Sequence, residues 1–226
     1  MLIVDDNSPD GTGLIVEELS RKNSNIHVIH RAKKIGIGSA YLEGFRWALA
    51  KFEPDVFIQM DADLSHPPPI VKELIRCVSE EYFHVAIASR YVAGGAMKGW
   101  PFTRRMESFF ANLIARILLR LDIRDATGGY RALSKAAVRM LLGFTLNSVG
   151  YSYQVESLYV FQLLNLRIKE IPFTFAGRQI GKSKLSLLEI PRFLWTILRL
   201  SISGVKPQVK PENPQIVGRS ERGHLG

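Results

Sequence analysis

Cysteine is almost absent: Cys77 is the single one in 226 residues, which excludes an internal disulfide and any multi-cysteine zinc site. That usage fits a reducing compartment, and the thiol itself reads as a small buried apolar group on a helix. Long apolar runs are lacking too. A membrane-spanning helix needs about 18 or more nearly uninterrupted apolar residues. The two best candidates, Phe109 to Leu121 and Phe193 to Ile202, are broken by Arg116, Arg120 and Arg199. The opening residues MLIVDDNSPDGTG have neither the basic start nor the apolar centre of a signal peptide, so a cytoplasmic protein, soluble or lying on a membrane surface, is expected. No Arg/Lys-rich run interleaves with aromatic residues, so nucleic acid is not an expected partner.

What is present is enough chain for one domain whose core needs no staples, and an excess of positive charge, +9, that is unevenly placed. Residues 1–85 carry a net −4, whereas 86–124 and 167–204 each carry +5. An acidic first part facing a basic remainder suggests an anionic ligand or surface.

Periodicity and turn chemistry organise the chain. A strand Leu2 to Val4 runs into Asp5-Asp6-Asn7-Ser8-Pro9-Asp10-Gly11-Thr12, a cluster of turn formers and helix caps. A helix from Thr12, a strand Ile26 to Ile29, a helix after Gly36-Ile37-Gly38 and a strand Val56 to Met60 follow. Pro67-Pro68-Pro69 opens the next helix, and Val85 to Ser89 is another strand. Such alternation with short connections predicts an α/β fold with a doubly wound, mostly parallel sheet, in which ligands sit beyond the carboxyl ends of the strands. Beyond Arg90 the expected elements are a helix from about Thr103 to Leu121, helices from Ser134 and Tyr153, a strand Lys169 to Phe175, and a last helix Leu185 to Ile202. Residues 1–204 read as one domain and 205–226 as a disordered polar tail.

The chemistry centres on Asp61-Ala62-Asp63. Two carboxylates one residue apart at the end of a buried strand can turn toward one oxygen-liganded cation such as Mg²⁺ or Mn²⁺. Alone the pattern equally describes a solvated turn ahead of a helix. Asp6 repeats the arrangement one strand earlier, as a ligand for a base or ribose or as a helix cap.

Four segments of the first half closely resemble the glycosyltransferase family that includes the dolichyl (polyprenyl) phosphate mannose synthases: Val4 to Thr12, Gly36 to Tyr41, Met60 to Pro67 and Ser89-Arg90-Tyr91. The likeness continues in Gly99-Trp100 with Arg104 and Ser108, in Asp125 to Arg131, in Gly150-Tyr151 with Gln154 and Glu156, and in Arg178, Gly181, Ser183 and Lys184. It spans residues 2–204 in order and implies an inverting family 2 enzyme of the GT-A fold, moving mannose from GDP-mannose to a polyprenyl or dolichyl phosphate at the cytosolic face of a membrane. By match to the family motifs, Asp61 and Asp63 bind a divalent metal, Mg²⁺ or Mn²⁺, and the donor pyrophosphate. Val4, Asp6 and Ala62 line the nucleotide. Arg90, Arg178 and Lys184 hold donor phosphates, and Arg104 and Ser108, with Arg90, meet the acceptor phosphate. Asp125, Arg131, Gln154 and Glu156 form either a supporting polar network around the acceptor or a buried salt-bridge set. His66 reads as structural.

Two departures accompany the resemblance. Family members begin with one further strand ending in a Pro-x-Tyr-Asn-Glu-like motif, so an unfilled central sheet position is expected here, and an inactive remnant is the corresponding alternative. Ser65 stands where some relatives carry a Gln that assists the metal, leaving a third protein ligand open. A UDP-glucose donor with the same lipid acceptor is the other alternative. The amphipathic segments Phe109 to Leu121 and Leu185 to Ile202 predict peripheral membrane binding, unless a separate membrane subunit delivers the lipid.

Overall fold

A computed structural model of the chain describes residues 1–148, 150–177 and 189–208. In chain order the elements are β1 (Leu2–Asp5), α1 (Thr12–Lys22), β2 (His27–His30), α2 (Ile37–Lys51), β3 (Val56–Gln59), α3 (Ile70–Ser79), β4 (Val85–Ser89), β5 (Ala96–Lys98) and α4 (Phe102–Leu119). They continue with β6 (Arg131–Ser134), α5 (Lys135–Leu141), β7 (Phe144–Thr145), α6 (Ser152–Leu163), β8 (Ile168–Pro172), β9 (Thr174–Ala176), α7 (Glu189–Ser203) and β10 (Lys206–Pro207).

The central sheet has the order β3-β6-β4-β8, and all five residues of β4 are buried. Alternate β4 side chains serve two different cores, as the two-residue repeat of a strand requires. Val85 and Ile87 join Phe57 of β3, Leu133 of β6 and the inward residues of α4, α6 and α7 in one cluster. Ala86 and Ala88 join Ala132, Tyr130, Ile171 and the α3 residues Leu74, Cys77 and Val78 in the other. Small alanines on the α3 side let that helix lie close. The thiol of Cys77 is fully buried there, and burial raises its pKa.

Parallel pairing joins β1 to β2, β4 to β8 and β5 to β9. The departure from a purely parallel sheet is β6, which runs antiparallel between β3 and β4. Arg131-Ala-Leu-Ser is too short to display alternation, so its strand identity comes from pairing rather than from pattern. The single strand expected over 169–175 is two, divided at Phe173. Its N–H still donates to Ser89 O at 3.1 Å, while its carbonyl accepts from Ala96 N at 3.0 Å, which passes the chain from β4 to β5. Among the described residues, β1 and β3 each pair on one edge only, and the β1-β2 ribbon shares no pairing with the central sheet.

The tail expected from residue 205 is ordered at its start. Val205 packs on the first core, Lys206–Pro207 pair with Phe144–Thr145, and Gln208 N donates to Gly143 O at 2.7 Å. Residues 209–226 lie outside the described residues.

Helix α6 threads the interior, with Ser152 to Leu158 buried without a break. A helix buried all round has no polar face on which to place Gln154, Glu156 and Ser157, so each of them needs an internal partner or a ligand. Helices α4 and α7 pack on each other and keep one face outward, exposing Phe109, Phe110, Ile117, Leu118, Leu194, Trp195 and Leu198. No helix among the described residues is long and apolar enough to cross a membrane.

Candidate active site

The turn after β3 is folded back on itself. Asp61 N–H donates to His66 Nδ1 at 2.9 Å, and Asp63 Oδ1 accepts from Ser65 N at 3.1 Å and Ser65 Oγ at 2.5 Å. Leu64 between them adopts φ of 64°, a left-handed conformation unusual for a bulky side chain, which the two flanking hydrogen bonds hold in place. Because Nδ1 accepts, the imidazole carries its proton on Nε2. The ring is buried and stacks on Tyr130 at 4.7 Å and 13°, and Tyr130 OH donates to Pro67 O at 2.8 Å. Burial lowers the His66 pKa, opposed by the Asp61 and Asp63 charges, so a neutral imidazole braces the turn, as the sequence reading expects.

Asp61 reaches the wall of a cavity of about 450 Å³. Among the described residues no three His, Cys, Asp or Glu side chains converge as a metal cage. Two hard carboxylates on one turn, Asp61 with open space beside it and Asp63 two residues on, instead suit a cation that takes its other ligands from phosphate and water, as Mg²⁺ does. The donor set therefore fits Mg²⁺ or Mn²⁺.

Arg90, at the end of β4, is held by Asp125, which is completely buried. One carboxylate oxygen accepts from the Arg90 N–H at 2.9 Å and from Nε at 2.8 Å, and the other from Nη2 at 2.6 Å. Nη2 also donates to Thr127 Oγ1 at 2.8 Å, and Nη1 takes no part in these bonds. Asp125 is seated in turn by its own N–H, which donates to Glu170 of β8 at 2.9 Å. Although burial opposes its charge, the Asp125 carboxylate raises the Arg90 pKa overall. The guanidinium is thus a fixed, permanently charged part of the cavity wall.

Helix α4 carries a polar stripe spaced by four, Arg104, Ser108 and Asn112, of which Arg104 and Ser108 line the cavity and Asn112 lies behind them. Trp100 lies between two cations, with Arg104 at 4.5 Å and Arg90 at 5.5 Å from its ring. Ser108 Oγ accepts from Tyr91 OH at 2.7 Å. Asn112 Nδ2 donates to Ser108 O at 2.9 Å and to Thr127 Oγ1 at 3.0 Å, while its Oδ1 accepts from Thr127 N at 3.1 Å. The cavity lining therefore combines polar side chains, Asp61, Arg90, Arg104, Glu107, Ser108, Gln154 and Glu189, with apolar ones, Phe110, Ala111 and Ile114 of α4 and Ile190, Phe193 and Leu194 of α7.

The remaining expected residues lie elsewhere. Asp6 is engaged by Arg31, whose Nε donates to it at 2.5 Å and whose Nη1 donates to Ser39 Oγ at 2.7 Å, tying β1 to the start of α2. Val4 lies in β1 with a γ-methyl facing Gly44 of α2, and neither it nor Asp6, Ala62 or Asp63 lines the cavity. Arg131 is wholly buried without a carboxylate. It donates to the carbonyls of Gly128 at 2.8 Å, Gln154 at 3.0 Å and Ala126 at 3.1 Å, and to Ser157 Oγ at 3.1 Å. Burial lowers its pKa to about 10. Asp125, Arg131 and Gln154 thus adjoin one another, but Glu156 does not share their partners. It binds Arg199 of α7 and accepts from Asn147 N at 3.1 Å and Ser148 N at 2.7 Å. Arg178 and Lys184 lie outside the described residues.

Sequence reasoning missed Asn112, Thr127 and the α7 side of the cavity. A four-residue polar spacing along α4 was the available signal for Asn112. Thr127 lay within the family-like segment Asp125 to Arg131, and Phe193 offered no signal.

With this geometry in hand, the comparisons with known proteins are specific. Residues 1–142 match the family described as "Glycosyl transferase family 2". The chain is 41% identical over 186 residues to the undecaprenyl-phosphate mannosyltransferase of Micrococcus luteus, covering 82% of this chain and 75% of that protein. It is 37% identical over 205 residues to the polyprenol monophosphomannose synthase of Mycolicibacterium smegmatis, covering 90% and 77%. Among solved structures, glucosyl-3-phosphoglycerate synthase of Mycobacterium tuberculosis with Mn²⁺, UDP-glucose and phosphoglyceric acid superimposes with a TM-score of 0.60 at 19% identity, over 88% of this chain and 68% of that one, a likeness of fold. An acidic turn and a charged, half-apolar cavity at the ends of the central strands thus sit in a chain that belongs to glycosyl transferase family 2 and has the GT-A fold.

Proposed function

We propose that the protein transfers mannose from GDP-mannose to the phosphate of a polyprenol, dolichyl or polyprenyl, with inversion at the sugar carbon, releasing GDP. The observation that carries this reading is the two-part lining of the cavity: carboxylate and guanidinium groups on the one hand, and apolar side chains of α4 and α7 on the other. An anionic headgroup followed by an isoprenoid chain matches both halves, and the names of the two relatives support the same acceptor and sugar.

The acceptor phosphate carries about −1.5 to −2 charge at neutral pH, so its oxygen attacks without a general base. This is consistent with His66, whose Nδ1 is already engaged by the Asp61 N–H. The phosphate oxygen forms the bond to the sugar carbon as the bond to the diphosphate breaks, and the electron pair leaves with GDP. Arg104 and Ser108 would position the acceptor phosphate, with Arg90 offering fixed positive charge. Arg178 and Lys184 would hold donor phosphates, and Val4, Asp6 and Ala62 the nucleoside. Asp61 and Asp63 would hold Mg²⁺ or Mn²⁺, which when bound stabilises charge on the departing diphosphate. The exposed apolar residues of α4 and α7, flanked by Arg105, Arg120 and Arg192, suit peripheral binding to an anionic cytosolic membrane face.

The test is transfer of label to a short polyprenyl phosphate from GDP-mannose or UDP-glucose, with Mg²⁺ or Mn²⁺. Transfer from GDP-mannose is expected. Transfer from UDP-glucose alone overturns the sugar, and transfer from neither overturns the reaction. Failure to bind anionic liposomes would move the membrane contact to a separate subunit.

A further inference from the structure

Gln154 lies in the first turn of α6, is 3% exposed, and forms part of the wall of the cavity that also holds Asp61 and Ser108. Its main chain is fully engaged. The carbonyl accepts from Arg131 Nη1 at 3.0 Å and Ser157 Oγ at 3.1 Å, and the N–H donates to Tyr151 O at 3.1 Å. Its side chain is not. Oε1 is closed to solvent and meets no hydrogen-bond donor, while Nε2 lies against Gly129, where even an added methyl would come within 3.0 Å. Buried acceptors without donors are rare and costly. In the wall of a ligand cavity such an atom marks a place where the donor arrives with the ligand. The terminal torsion of a glutamine is soft, and rotation about it is the movement by which the oxygen would meet a ligand in the cavity.

The chemistry of that donor can be narrowed. A phosphate at neutral pH has almost no proton to give, and an isoprenoid chain has none. The nucleoside has donors, but the residues expected around it, Val4 and Asp6, lie on β1 and outside this cavity. The transferred sugar brings several hydroxyls, and it must sit where Asp61 approaches the residues assigned to the acceptor phosphate.

We propose that Gln154 Oε1 accepts a hydrogen bond from a hydroxyl of the transferred hexose, so that Gln154 is a residue that determines sugar specificity. The proposal rests on the glycosyl-transfer reading above. A donor in which that hydroxyl is removed or inverted leaves the oxygen without a partner again and is rejected.

The test couples protein and substrate changes. Gln154→Met and Gln154→Leu are made in the full chain, and kcat/KM is measured for GDP-mannose and its monodeoxy analogues, together with Tm and the Kd for GDP. Removing one neutral hydrogen bond is expected to lower kcat/KM for GDP-mannose about tenfold. Wild-type enzyme should lose a similar factor on one deoxy analogue, and the variants should lose nothing further on that analogue. Tm should not fall, because no internal side-chain bond is lost, and the Kd for GDP should be unchanged. An equal loss on every analogue, no loss at all, or weakened GDP binding overturns the assignment. If the enzyme uses UDP-glucose instead, the same coupling is read on its deoxy analogues. Transfer of neither sugar refutes the reaction and the proposal together, whereas transfer without coupling at any hydroxyl refutes the role of Gln154 alone.

Discussion

Replacing Asp125 with alanine should be among the most damaging single changes in the chain. Its carboxylate has no solvent exposure and accepts three hydrogen bonds from Arg90, whose own side chain is 8% exposed. An exposed ion pair is worth roughly 0–1 kcal/mol. Truncating one member of a buried pair costs about 3–5 kcal/mol, because the partner charge stays in a dry environment. Against a total stability of about 5–15 kcal/mol that is a large fraction. For a change of about 4 kcal/mol and a slope near 2–3 kcal/mol per molar urea, the unfolding midpoint should fall by about 1–2 M. Urea unfolding followed by tryptophan fluorescence measures it. Arg90→Ala should cost a comparable amount by stranding the carboxylate, and the double variant should cost clearly less than the sum, by about 2 kcal/mol or more. A loss below about 1 kcal/mol for Asp125→Ala, or additive single effects, would refute the view that the pair is dry and mutually dependent.

Gly38→Ala places a methyl 2.8 Å from the Tyr153 ring, which is fully buried, so overpacking should cost about 1–3 kcal/mol in urea unfolding despite the better helix propensity of alanine. The Glu81 carboxyl is held below its ordinary value near 4.5, chiefly by its hydrogen bond to Lys169 with Arg76 assisting. A depressed carboxylate pKa contributes stability above the unfolded value and loses it as pH falls through the folded one. Glu81→Gln should therefore lower the urea midpoint at pH 7 and lower it by less and less as the pH falls through the folded-state pKa, and an effect independent of pH would sink this account. Trp195→Asp with Leu198→Asp, at positions 67% and 46% exposed, should abolish flotation with anionic liposomes while leaving Tm unchanged. Chelation by EDTA should stop label transfer, and Mn²⁺ or Mg²⁺ should restore it; activity indifferent to EDTA would remove Asp61 and Asp63 from metal binding.

Much of the fold was legible because its signals are local. The apolar run Val56-Phe57-Ile58 and the fully buried Val85 to Ser89 are strands by composition, and Pro67-Pro68-Pro69 marks the start of α3. What escaped depends on partners distant in sequence. Arg131–Ser134 is a strand only because β3 and β4 leave a slot of the right width, and Lys206–Pro207 is ordered only because Phe144–Thr145 offers an edge. The break at Phe173 is equally invisible, since Pro172 and Thr174 read as one strand until the neighbours of each are known.

The site was legible at the level of residue type and opaque at the level of pairing, and the arginines show why. The excess charge pointed to anionic ligands. Several basic side chains are also matched internally, three of them being Arg31 with Asp6, Arg90 with Asp125, and Arg199 with Glu156. A fourth, Arg131, is buried against neutral acceptors and holds the loop that carries Thr127 and Gly129 to the cavity. A motif cannot distinguish an arginine that meets phosphate from one that fixes a carboxylate, because both need the same planar fork and both stand near acidic residues. The distinction becomes visible only once burial and partners are known. On those grounds Asp125 and Arg131 support the wall from behind, and Glu156 anchors α7 to the 147–148 loop. Gln154 is the one of the four whose side-chain oxygen has no donor, which is why it is the one proposed above to contact the ligand.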